Sequence, residues 1–359
     1  MIKGHYYICW LKKNSIVNKQ LLKHYFMRIS VFLLILVFIF SSGCKSDTMK
    51  PAEPVKIIFD SDFGPDYDDV GALAFLHAMA DSGKAEILAT ISCNKHELVA
   101  PGINVLNIYF GRPELPIGAP KSNGISMGSG QHWLDTLALK YPHNIRSTSE
   151  VPDAINIYRK ILISQPDTSV TIVTVGFLTN LAGLLQSEPD SISILPGKDL
   201  VRRKVRKLVS MAGRFPEGKE FNVQMDSSSS KYVYENWPTR VVFSGFEIGY
   251  EIRTGLRLIN MEVNDNPVKD VFRISIPMSE EDKNGRMSWD ETAVLIAVYG
   301  TNGFFDVVPG TITVNTDGSN GWINNPNGKQ SYVKRKMNVD AMSKFIEDRM
   351  MHIPAKKLL

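Results

Sequence analysis

Residues 57–69 read Ile-Ile-Phe-Asp-Ser-Asp-Phe-Gly-Pro-Asp-Tyr-Asp-Asp and set five carboxylates, Asp60, Asp62, Asp66, Asp68 and Asp69, within ten residues. Like charges this close repel strongly unless a cation or bound protons neutralise them. Carboxylate oxygens on a tight turn suit a hard divalent cation such as calcium or magnesium. The run follows a β-branched stretch and precedes an apolar helical one at 70–80. It therefore falls at the carboxyl end of a strand, where open α/β sheets build their sites. Zinc is not expected: the seven histidines show no paired-ligand spacing and the three cysteines form no CxxC.

The elements that must hold this turn alternate along the chain. Strands are expected at 55–59, 86–92, 170–175, 207–211 and 239–243. Helices are expected at 70–80, 98–110, 152–164, 178–185, 290–299 and 339–349. Short, near-continuous apolar strands separated by helices argue for parallel βαβ units, hence a single α/β domain with a doubly wound, mostly parallel sheet covered on both faces. The section 300–323, rich in Val, Thr, Gly and Asn, reads as a small β or loop excursion. Between Lys121 and Asn144, glycines and serines surround His132 and Trp133. That segment is either a mobile lid over a pocket or a surface loop whose tryptophan packs against its base.

The amino-terminal part reads as an address rather than as fold. Residues 29–40 form an uncharged apolar run behind Arg28, too short to span a bilayer and of the length of an export signal's apolar core. Ser-Ser-Gly-Cys follows, resembling a lipobox with Cys44 as the lipid-anchored residue, although Ser41 stands where leucine is usual. Residues 1–44 are thus expected to be a signal segment with Met27 as an alternative start. Residues 45–55 are expected to form a tether and 56–355 the folded domain of an exported, membrane-anchored protein. Residues 1–43 hold six basic side chains and no acidic one, so the formal net charge of +4 becomes slightly negative beyond them. Nothing global then favours nucleic acid as a partner. The local basic run from Lys198 to Lys207 is expected to be a solvated face, or else one facing anionic lipid.

The acidic turn and three later segments resemble the inosine–uridine type nucleoside hydrolase family. The family opens with Asp-x-Asp-x-Gly-x-Asp-Asp; here Pro65-Asp66-Tyr67 fills the space of one residue, which leaves the part played by Asp66 open. Val173-Thr-Val-Gly-Phe-Leu-Thr-Asn-Leu181 is similar to the family's strand and Leu-Thr-Asn helix start. Met211-Ala-Gly213 with Glu220-Phe-Asn222 and Asp226 resembles its third block. Trp289-Asp-Glu-Thr-Ala293 resembles its last, in the place of a His-Asp-Pro start. The resemblance runs from about 56 to 354.

What this resemblance implies is cleavage of a ribonucleoside's N-glycosidic bond. Asp62, Asp69 and Asp290 would ligate calcium together with the main-chain carbonyl of Val175, and Asp62 would act as general base. Asp68, Glu220, Asn222 and Asn94 would hold the ribose. Asp60 would support the turn. Trp289 stands where pyrimidine-accepting members carry an acid histidine; with Trp133 it would sandwich a purine, and His132 is a second candidate acid. Arg214 falls where members often place an asparagine for the sugar's 5′ end. A homodimer or homotetramer would be in keeping with the family. Two other readings fit part of the pattern. One is a nucleoside-binding lipoprotein without turnover, suggested by the missing histidine. The other is an aspartyl phosphatase, for which Asp68-Asp69 and the Glu-Phe-Asn block are foreign.

Overall fold

The computed structural model describes residues 23–25, 27–28, 53–121 and 124–355. The chain divides into two compact units, Met1–Ala52 and Glu53–Leu359. The apolar run expected to direct export, and Cys44, lie outside the described residues. Among the described residues no helix is long and apolar enough to cross a membrane.

The second unit is built on strands β1 (Val55–Ser61), β2 (Ala85–Ser92), β3 (Ile117–Gly118), β4 (Val170–Thr174), β5 (Val205–Met211), β6 (Gly218–Lys219), β7 (Arg240–Ser244), β8 (Arg253–Thr254), β9 (Arg286–Met287), β10 (Phe305–Val314), β11 (Ser319–Asn324) and β12 (Gln330–Arg335). Among the described residues ten of them form one sheet in the order β3-β2-β1-β4-β5-β7-β12-β10-β11-β6, and β8 pairs with β9. The run from β3 to β12 is parallel. The remaining three strands are antiparallel and form one edge. Strand order reverses between β1 and β4, so their carboxyl ends frame the switch point at which such sheets bind ligands.

Alternation along each strand feeds two apolar layers. Ile57 and Phe59 face one cluster, Ile58 the other. The first cluster takes in the helices Asp68–Asp81, Trp289–Tyr299 and Val339–Met350; the second takes in Ala154–Ser164 and Thr179–Gln186. The Asp68–Asp81 helix is buried from Asp68 to Met79. A helix that is apolar all round is one enclosed by the rest of the domain.

Three regions differ from what the sequence suggests. The excursion expected at 300–323 is longer and more regular, and β12 returns to pair parallel with β7. The Gly/Ser-rich segment runs into a helix, Trp133–Lys140. Its first residue, Trp133, is fully buried and meets Phe63 edge-on at 5.4 Å. The expected sandwich partner is therefore a core side chain, because its ring fills the space beneath the acidic turn. His132, by contrast, is largely exposed beside Asp135. The basic run is only partly the solvated face expected: Arg202 pairs with Asp199 and Arg203 with Asp167 at the surface, but Lys204 is buried and donates to the Gln165 carbonyl, and Lys207 donates to the carbonyl of Ile296.

One close approach fixes the start of the Trp289–Tyr299 helix against the short helix Phe246–Glu251. A Cβ on Gly249 would lie 2.3 Å from Cα of Trp289. Backbone cannot give way as a flexible side chain can, and overpacking of this kind costs about 1–3 kcal/mol. Gly249→Ala is accordingly expected to lower Tm by several degrees and to displace Trp289 and Asp290. An unchanged melting curve would show that the two helices have room to spare.

Candidate functional site

The site begins with how the carboxylates are held. Asp60, at the end of β1, accepts hydrogen bonds from the Tyr158 hydroxyl at 2.7 Å and from Asn180 at 3.2 Å. It braces the strand against the helices beyond it and faces no cleft. Asp69 Oδ1 accepts from the Ser61 hydroxyl and from the Phe63 amide, while its buried Oδ2 has no hydrogen-bond partner. Gly176 lets the end of β4 approach this turn, since a Cβ there would lie 2.6 Å from the Asp62 nitrogen.

Asp68 serves a third purpose. Its Oδ2 accepts from the amides of Trp289 and Asp290 at 3.2 and 3.3 Å, capping the Trp289–Tyr299 helix that Ser288 leaves without a side-chain cap. Its Oδ1 accepts from Nε and Nη2 of Arg286 at 3.0 and 2.7 Å. Four accepted bonds use all the lone pairs of a carboxylate, so Asp68 has none free for a ribose hydroxyl. Arg286 also pairs with Asp66 and lies 5.0 Å from the ring centres of both Tyr67 and Trp289.

These residues converge on a cleft of about 220 Å³ lined by Asp62, Asp66, Asp68, Val175, Met211, Glu220, Phe221, Asn222, Phe246, Glu281, Arg286, Met287, Trp289 and Asp290. Glu220 caps its own short helix, accepting from the amides of Asn222, Val223 and Gly213. Asn222 directs its amide toward the carbonyls of Val175 and Met211, both at 3.3 Å. Trp289 donates to the Phe246 carbonyl, and the two rings lie 5.2 Å apart. Asn94 does not reach the cleft. Its Nδ2 donates to the carbonyls of Asp62 and Met127 and its Oδ1 accepts from the amides of His96 and Met127. A side chain so occupied braces two loops and has nothing left for a sugar.

The electrostatics suit a divalent cation. Oxygens of Asp62, Asp66 and Asp69 lie within 4.8 Å of one another, a group able to hold a metal ion. Two ligands on opposite sides of a calcium ion are separated by about 4.6–5.2 Å. Burial, and then the charge of Asp69, push the Asp62 carboxyl well up. Asp69 and Asp290 are raised in the same way, by burial first and by neighbouring aspartates next. Burial lifts Asp68 to about 6 against the pull of Arg286, and lifts Asp60 and Glu220 to about 7. The orphaned Asp69 oxygen and an all-oxygen donor set fit a hard divalent cation.

Residues 57–351 match the family described as inosine-uridine preferring nucleoside hydrolase. The chain belongs to that family. Its members are N-glycosidases, and this chain is an enzyme of that class. The inosine-uridine preferring nucleoside hydrolase of Crithidia fasciculata is 24% identical over 236 residues, 62% of this chain and 70% of that enzyme. The pyrimidine-specific ribonucleoside hydrolase RihA of Citrobacter koseri is 27% identical over 210 residues, 54% of this chain and 61% of its own length. Among solved structures, the purine-preferring ribonucleoside hydrolase of Gardnerella vaginalis shares the fold, with a TM-score of 0.64 at 16% identity over 82% of this chain and 98% of that one.

Within this nucleoside hydrolase fold, the expected residues Asp62, Asp68, Val175, Glu220, Asn222, Trp289 and Asp290 line one cleft, with Asp69 directly behind it. Sequence reasoning missed Arg286, Phe246 and Met211. Arg286 had one available signal, a basic residue three positions before the Trp-Asp pair.

The raised carboxyls bind protons in the folded protein that the unfolded chain has released, so folding stability falls as pH rises through their folded values. His77, depressed by burial to about 3, acts in the opposite direction below its ordinary 6.5, and Lys207, depressed to about 8, does so above 8. Metal-free protein is therefore expected to lose stability between pH 6.5 and 8. Saturating calcium should flatten that slope, which urea unfolding with chelator and with calcium would measure. A flat metal-free profile across the window would contradict it.

Proposed function

We propose that this chain hydrolyses the N-glycosidic bond of ribonucleosides in a calcium-dependent reaction and releases purines in preference to pyrimidines. The observation that carries the reading is the convergence of Asp62, Asp66, Val175, Glu220, Asn222 and Asp290 on one cleft at the sheet's switch point. Asp62, Asp69 and Asp290, with the Val175 carbonyl, would hold the cation. Bound there, it would supply a water of lowered pKa and a clamp for sugar hydroxyls. Asp62 receives the water's proton on its carboxylate. Glu220 keeps a lone pair on Oε1 for a ribose hydroxyl, and Asn222 offers its amide oxygen. A sugar lacking those hydroxyls leaves buried polar groups unpaired, which is a strong basis for rejection.

Asp68 takes a different part from the one its motif implies: it positions Asp290 by capping that residue's helix and leaves the sugar to Glu220 and Asn222. The purine preference rests on an aromatic wall of Trp289 and Phe246, with Trp133 absent from it. A larger ring system gains more from such a wall. The second reading, a nucleoside-binding protein without turnover, is favoured by one observation: among the described residues no histidine lines the cleft.

Base release from a panel of purine and pyrimidine ribonucleosides, with calcium and after chelation, separates these readings. Chelator-sensitive release, fastest for purines and reduced about 10²–10⁴-fold in Asp62→Asn, is the expected result. Calcium and nucleoside binding without any release would establish the binding protein instead.

A further inference from the structure

The acidic turn is two residues longer than the opening it resembles, and the extra length delivers Asp66. Its carboxylate lies with those of Asp62 and Asp69 inside a sphere that one cation could occupy. The three are not held alike. Asp69 is clamped by Ser61 and the Phe63 amide, and its buried Oδ2, without a partner, is the independent mark of an ion at this point. Asp66, 40% exposed, is held by the guanidinium of Arg286. That guanidinium does not depend on Asp66 in return. It makes two bonds to Asp68, lies 3.8 Å from Asp282, and is flanked by the rings of Tyr67 and Trp289.

We propose that Asp66 is an additional ligand of the cation site, and that Arg286 is the internal counter-charge that orients it there. The proposal rests on the cation reading given above. A fourth carboxylate already paired with a guanidinium adds an oxygen to the shell that calcium requires without adding another unneutralised charge to the cluster. Arg286 thereby moderates affinity, since a fixed positive charge beside the ion opposes it.

Terbium luminescence tests this in the intact chain, because its decay in H2O and D2O counts the waters on the bound ion. Wild type and Asp66→Ala are compared, with calcium competition giving affinity and metal-free melting curves confirming the fold. The expected result is one more bound water in Asp66→Ala, with calcium affinity weakened at least about tenfold. An unchanged water count would overturn the assignment even if affinity fell, since a lost distant charge weakens binding without opening a coordination position. Failure of wild type to bind either ion would instead overturn the cation reading itself, and this proposal with it.

Discussion

Mutual repulsion among buried carboxylates is the constraint on which this structure turns. Asp62, Asp68, Asp69 and Asp290 are almost fully buried and Asp66 lies at their edge. Burial raises the free energy of each charge, and each charge raises that of the next. Arg286, the only basic side chain lining the cleft among the described residues, is already committed to Asp66 and Asp68. Such a cluster is tolerated only where bound protons or a cation neutralise it. That requirement links the sheet topology to the chemistry, because the strand ends that gather the acids also leave a cleft above them.

Arg286 and Asp68 tie the opening of the domain to its last third. The acidic turn follows β1, while Arg286 and Asp290 come more than two hundred residues later. The Asp68 carboxylate makes the connection twice, through the guanidinium and through the amides that begin the Trp289–Tyr299 helix. Asp290 is therefore positioned by a residue of the same turn it must face. Gly249 and Gly176 supply the close approaches that this requires.

Much of the fold was legible because parallel strands covered on both faces need unbroken apolar stretches, and β1, β2, β4, β5 and β7 carry them at 57–59, 87–89, 172–173, 208–209 and 241–243. β12 was not, since Gln330–Arg335 has only Tyr332 and Val333 between polar pairs and gains its place by pairing with β10 and distant β7. Within the site, the carboxylates of the acidic turn could be read from spacing, whereas Glu220 and Asp290 came only with the family resemblance. Trp133 and Asn94 could not be placed so, because a single sequence does not say which way a side chain points out of a loop. Asp68 lay between these cases. Its place in the cleft was foreseeable, but its commitment to Arg286 depends on a contact across the whole domain.

The account is tested most directly by the thermal shift that calcium produces in wild type and in Asp290→Asn. Removing one charge from the cluster should leave the metal-free variant at least as stable as wild type, while its calcium-induced rise in Tm disappears. An equal calcium shift in both proteins would contradict the claim that these carboxylates form a cation site.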